Sequence, residues 1–189
     1  MMRKYILLLW LAMGASVGCW AAQNVMPDTL LFVFKLHGQT RKYQMAFHEK
    51  QDTLYLNWKI LRNLRWQSGS YITTPAGREQ GSSLCFLQPE DGVNRLLVPE
   101  ETAYVLSRKA YKELKQQGTF QFNKTTYVLK DKESKALGFP LLHCVDQNEG
   151  GEMWILDNEG LPIVWRMQNN PLNINWQVEH PSAVYTELK

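Results

Sequence analysis

His143 and Cys144 stand side by side in the run Leu141–Val145, and a histidine that activates a thiol is the chemistry of cysteine proteases. The run reads as a strand, where neighbouring side chains point to opposite faces, so these two cannot form a dyad with each other. Cys85 could meet His143 across strands, but no third group can be nominated to orient the imidazole. The four histidines, His37, His48, His143 and His180, are scattered without the paired spacing that marks a metal site. His37 and His48 flank a hairpin and read as exposed polar residues. Asp157 and Glu159 are close enough for a carboxylate pair, yet they lie in Asp157-Asn158-Glu159-Gly160, a turn composition. Ser68-Gly69-Ser70 and Gly81-Ser82-Ser83 lack the nucleophile elbow, and no phosphate-binding or dinucleotide fingerprint is present. The expectation is no catalytic residue, no cofactor and no metal.

Cys85 and Cys144 both sit in apolar runs. In an exported domain such a pair is a candidate disulfide, and as free thiols they would act as small core residues. Both readings stay open.

Export is suggested by the beginning of the chain. Arg3 and Lys4 precede an unbroken apolar stretch, Tyr5–Met13, which is followed by Gly14-Ala15-Ser16. Cationic start, short apolar core and small-residue exit make a signal-peptide pattern, and the expected division is a cleaved leader at 1–22 and one domain at 23–189. Ser16-Val17-Gly18-Cys19 is similar to the lipobox of bacterial lipoproteins, which makes Cys19 a candidate lipidation site; Ser16 departs from the usual leucine there. Release into the periplasm or medium and lipid anchoring in the cell envelope are the two destinations, and the anchor is the only membrane contact expected. Losing Arg3 and Lys4 lowers the formal net charge from +3 to +1. With no basic stripe in what remains, nucleic acid is set aside as a partner.

The elements that must position any site are read from periodicity. Leu54, Leu56, Trp58 and Ile60 alternate with polar neighbours, as do Ile174, Trp176 and Val178, and a period of two marks half-buried strands. Leu30-Phe32-Phe34-Leu36 and Tyr43-Met45-Phe47 read as a hairpin about His37–Thr40, and Thr119–Lys130 as another about Asn123-Lys124. From Pro140 onward, turn-rich breaks separate four strands of a meander. A helix is expected at about 107–118, capped by Ser107 and ended by Gly118, and a shorter turn after Thr74-Pro75. Thr102–Leu106 fits either a strand or a helical turn. The fold expected is α+β, predominantly antiparallel, a curved or half-barrel-like sheet with one main helix.

That pattern resembles the half-barrel architecture of periplasmic lipid and lipoprotein carriers, a likeness of architecture and not of motif. It implies a non-enzymatic envelope protein that binds an apolar ligand or a partner protein in a cavity lined by Trp58, Trp165 and Trp176. The alternative is a carbohydrate-binding module stacking sugars on Tyr55, Trp66 and Tyr71. A hydrolase with an unrecognised site ranks last.

Overall fold

A computed structural model describes residues 26–179, apart from the side chain of Glu133. The leader, Cys19 and His180 lie outside the described residues. Among the described residues there are thirteen strands and two short helices, and eleven of the strands join one curved sheet that does not close into a barrel. The α+β, mainly antiparallel class expected from periodicity is what the chain adopts.

The sheet grows in both directions from its middle. β1 (Leu30–Leu36) pairs with β2 (Gln39–Lys50), β2 with β3 (Thr53–Arg62), and β3 with β4 (Arg65–Thr73), all antiparallel. On its other side β1 pairs with β13 (Ile174–Glu179), the last strand described. The expected meander then continues backward through β12 (Val164–Gln168), β11 (Glu152–Leu156), β10 (Phe139–Asp146), β9 (Thr125–Ala136) and β8 (Thr119–Phe122). One edge is β8 and the other is β6 (Asn94–Leu96), which adds to β4 in parallel. A separate two-stranded piece joins β5 (Ser83–Leu84) to β7 (Glu101–Thr102).

Alternation holds in β3. In β3, Leu54, Leu56, Trp58 and Ile60 are buried while Asn57 and Lys59 are exposed. β1 departs from it: Leu31 and Val33 are also buried, opposite the long side chains of Gln44, Glu179, Lys42 and Gln177. β1 is interior to the sheet, with strands on both sides, so its outer face is flanked by side chains from both neighbours. Gly69 has a packing reason. It faces Trp58 across β3 and β4, and a Cβ there would stand 2.8 Å from that ring and 2.5 Å from the Val93 carbonyl oxygen.

The hollow of the sheet is filled by the chain itself. Ala103–Leu106, undecided from sequence, is a buried segment that bends at Ala103 and Tyr104 and is bridged to Ile163 through Val105. Tyr104 is its hub, with ring centroids 5.5 Å from Phe32, 5.7 Å from Phe34 and 5.3 Å from Trp176. Such edge-on aromatic packing holds Tyr104 at φ 56°, a backbone conformation bulky side chains rarely adopt.

The two ends of the half-barrel differ. α1 (Pro75–Gln80) is capped by Thr74, and α2 (Arg108–Gln117) is capped by Ser107 and ended by left-handed Gly118, as expected. Both lie at the end carrying the β2–β3 turn and the loop at 157–163; this is the closed end. At the opposite end, the mouth, lie the turns at 37–38, 123–124, 147–151 and 169–173 together with the loop at 85–93. No helix among the described residues is long and apolar enough to cross a membrane.

Candidate functional site

The mouth holds two cavities of about 500 and 460 Å³, in the range of small-ligand pockets. Phe86 and Leu172 border both, so the two form the lobes of one groove. The first lobe is walled by Leu84, Tyr127 and Met167, the second by Phe34, Tyr43, Tyr104 and Ile174.

Both dividing residues stand on braced loops. Leu172 follows Asn169-Asn170-Pro171; buried Asn170 donates to the Ile174 carbonyl at 2.7 Å and accepts from the Leu172 and Ile174 amides at 3.1 and 3.3 Å. This side chain–backbone ring fixes the loop while leaving Leu172 half exposed. Phe86 is held from both sides. Asn123 accepts from the Leu84 amide at 2.8 Å, the Cys85 amide donates to the Thr102 carbonyl at 2.8 Å, and the Tyr71 hydroxyl donates to the Leu87 carbonyl at 2.7 Å.

The first lobe has polar groups at its rim. Asp146, although buried, accepts from Thr125 Oγ1 at 2.5 Å and the Asn148 amide at 2.8 Å, so its carboxylate is committed internally. Burial pushes the Tyr127 hydroxyl up to about 12, against a hydrogen bond with Asn123 that lowers it. In the second lobe, burial holds the Tyr104 hydroxyl well above its ordinary value. Both phenols therefore stay neutral, which suits an apolar lining.

The sequence singled out other residues, and the structure disperses them. Cys85 and Cys144 are both free and buried; the candidate disulfide is not formed. Cys144 is sealed between Leu129 and Met153 in the sheet, and burial pushes its thiol up to about 12. Cys85 belongs to the loop over Tyr71, and its thiol is also raised, by burial first. Each is a core thiol in its own surroundings. His143 points away from Cys144, stacked 4.2 Å on Trp154 with Nε2 at 2.7 Å from Glu152. His37 sits at the mouth, whereas His48 stacks 4.7 Å on Tyr55 toward the closed end. Asp157 is engaged by Tyr111 and Lys115, with no bond to Glu159 among the described residues.

The expected tryptophan-lined cavity is corrected. Trp58 and Trp176 are packed in the core, and Trp165 sits at the irregularity between β11 and β12, beside a separate recess of about 220 Å³. The reason is the Ala103–Leu106 segment, which occupies the hollow. Of the sugar-stacking candidates, Tyr71 is buried under the Leu87 carbonyl. Tyr55 and Trp66 share the outer face, but Trp66 lies opposite Leu61, about 20 Å along β3 from Tyr55. Sequence reasoning missed Phe86, Leu172 and Arg41. The available signal was an apolar residue directly after an Asn-Pro turn.

Comparison with protein-family models, with curated proteins and with solved structures finds no match to this chain. Its class rests on its own geometry: an open, antiparallel half-barrel with a plugged hollow and a two-lobed groove at one mouth.

Proposed function

We propose that this is a non-enzymatic binding protein of the bacterial cell envelope, exported by its amino-terminal segment, that holds an apolar ligand in the mouth groove. One observation carries the reading: two cavities of about 500 and 460 Å³ meet at Phe86 and Leu172, on loops already fixed by hydrogen bonds. A pre-formed, mostly apolar groove with a few polar groups at its rim suits ligand capture without a large ordering cost. The groups with shifted ionisation in or beside the groove, Tyr71, Tyr104, Tyr127 and Cys85, are shifted first by burial. This is the electrostatic signature of a dry wall.

Titration of the full chain with Nile red tests the reading. Saturable binding with blue-shifted emission is expected, weakened about tenfold by Leu172→Glu, which puts a carboxylate between the lobes. Emission that never saturates, or that ignores this substitution, would place apolar binding elsewhere. Export is tested by the intact mass of the product from a Gram-negative host. A start at Ala22 or Gln23 means free release, and an acylated start at Cys19 means a lipid anchor.

A further inference from the structure

Arg41 sits on the inner face of β2, opposite Phe34 and two residues from buried Tyr43, and lines the second lobe. An inward-facing cation at an apolar mouth calls for a counter-charge. None is supplied nearby: no Asp or Glu lines that lobe, and Arg41 has no acidic partner among the described residues. Its one side-chain hydrogen bond there is a long 3.4 Å contact to Gln39. Four other arginines are treated differently, while Arg166, also without an acidic partner among the described residues, lies 4.4 Å over the Trp154 ring. Arg78, Arg95 and Arg108 each meet a glutamate of the chain, and Arg65 meets Asp91.

Resting on the reading of the groove as an apolar-ligand site, we infer that its ligand is a long-chain carboxylate whose head group meets Arg41. The guanidinium supplies a planar pair of donors that matches a carboxylate. The alkyl chain lies against Phe34 and Tyr104, passes between Phe86 and Leu172, and ends in the first lobe beside Leu84 and Met167. The opposite orientation is disfavoured, because the first lobe is bordered by two carboxylates, Asp146 and Glu149, against one cation, Lys124, and its net negative charge would repel a carboxylate head.

Calorimetric titration of the purified full chain with hexadecanoate and with hexadecanol, at equal chain length, tests the assignment. Hexadecanoate is expected to bind at least about tenfold more tightly than hexadecanol, the scale of one charge-assisted hydrogen bond. Arg41→Gln should erase that difference by weakening hexadecanoate alone, and Arg41→Lys should restore part of it. Arg41 is partly exposed, so an unchanged unfolding midpoint in both variants checks that only the head-group contact was altered. Equal affinities in the native chain, unaffected by Arg41→Gln, would overturn the head-group assignment and leave the apolar groove standing. Failure of both compounds to bind would overturn the groove itself.

Discussion

At the closed end Arg78 is 1 % exposed, and its guanidinium is met by Glu49 at 3.4 Å and by the Gly160 carbonyl; at the mouth Leu87 and Leu172 are about half exposed with nothing laid over them. The closed end ties together three stretches of chain. Glu49 also accepts from Arg108 at 3.0 Å, and Arg108 reaches Asp52 at 3.0 Å and Glu79 at 3.4 Å, joining α1, α2 and the β2–β3 turn. At the mouth, Arg65 with Asp91 and Arg95 with Glu90 are separate pairs that tie only the 85–93 loop, and the other loops are shaped by short rings of hydrogen bonds. Ion pairs and helices cover the hollow at one end, where the outer recess of about 780 Å³ between α1, α2 and Gly160 is lined by charged and polar side chains, and the other end is held open in shape with its apolar residues uncovered. The contrast teaches that exposed apolar surface here is placed on rigid supports, as a binding wall requires.

Tyr104 stands between the two ends, so its removal has the largest expected effect. Tyr104→Ala would delete the ring packed against Phe32, Phe34 and Trp176 and join the second lobe to the core. The expected loss is about 3–5 kcal/mol of stability, measured by chemical denaturation. A loss below about 1 kcal/mol would mean that the hollow is not sealed by this ring.

Next come two substitutions at the closed end whose difference matters more than either value. Arg78→Ala opens a cavity and leaves Glu49 short of a partner, with an expected cost of about 3 kcal/mol. Arg78→Met fills the same space. Because Nε and Nη1 of Arg78 are buried without partners, removing them offsets much of what the lost ion pair gave, and the change should stay within about 1 kcal/mol. Burial already lowers the Arg78 pKa, against the pull of Glu49, which shows the same desolvation from the other side. Equal losses in both variants would show that the charge itself locks the closed end.

The halves of this comparison were unequally legible in the sequence. Local chemistry announced itself: Ser107 and Gly118 bracket α2, Thr74-Pro75 opens α1, and alternation gave β3 and β13 their buried faces. The parallel addition of β6 to β4 did not, because it depends on a loop path and not on periodicity. The groove was hidden for the same reason. Its walls come from β1, β2, β5, β9, β10, β12, β13, the Tyr104 segment and loops far apart in the chain, and only the topology makes Phe86 and Leu172 neighbours of one space. The tryptophans misled because large aromatic rings signal burial more reliably than they signal a cavity. Arg41, in a strand of mixed polarity, carried no mark of facing inward until the register set it opposite Phe34.

Leu172→Glu, the substitution that should weaken Nile red binding, is expected to leave the unfolding free energy within about 0.5 kcal/mol of native, since the side chain is half exposed. The comparison sharpens if function falls here without stability, whereas at Arg78 stability falls first. A stability loss above about 2 kcal/mol would mean that Leu172 is part of the structural core and not of an open wall.

The smallest effect expected belongs to Asp157, which anchors the 157–163 loop to α2. It accepts from Tyr111 at 2.6 Å and from Lys115 Nζ at 2.7 and 2.9 Å. Burial alone would raise its pKa, but the Lys115 ammonium and Tyr111 hydroxyl overcome that and hold the carboxyl below its ordinary range. A depressed folded-state pKa means that the stabilisation is fully present above the unfolded value of about 4 and is lost as pH falls through the lower, folded value. Lys115 is well exposed to solvent, so screening keeps the contribution under about 1 kcal/mol. Asp157→Asn should therefore lower stability slightly at neutral pH and flatten its decline below about pH 4, read by denaturation across that range. An unchanged acid slope would assign the loop's attachment to its backbone contacts, the Leu106 amide on the Pro162 carbonyl and the Val164 amide on the Tyr104 carbonyl.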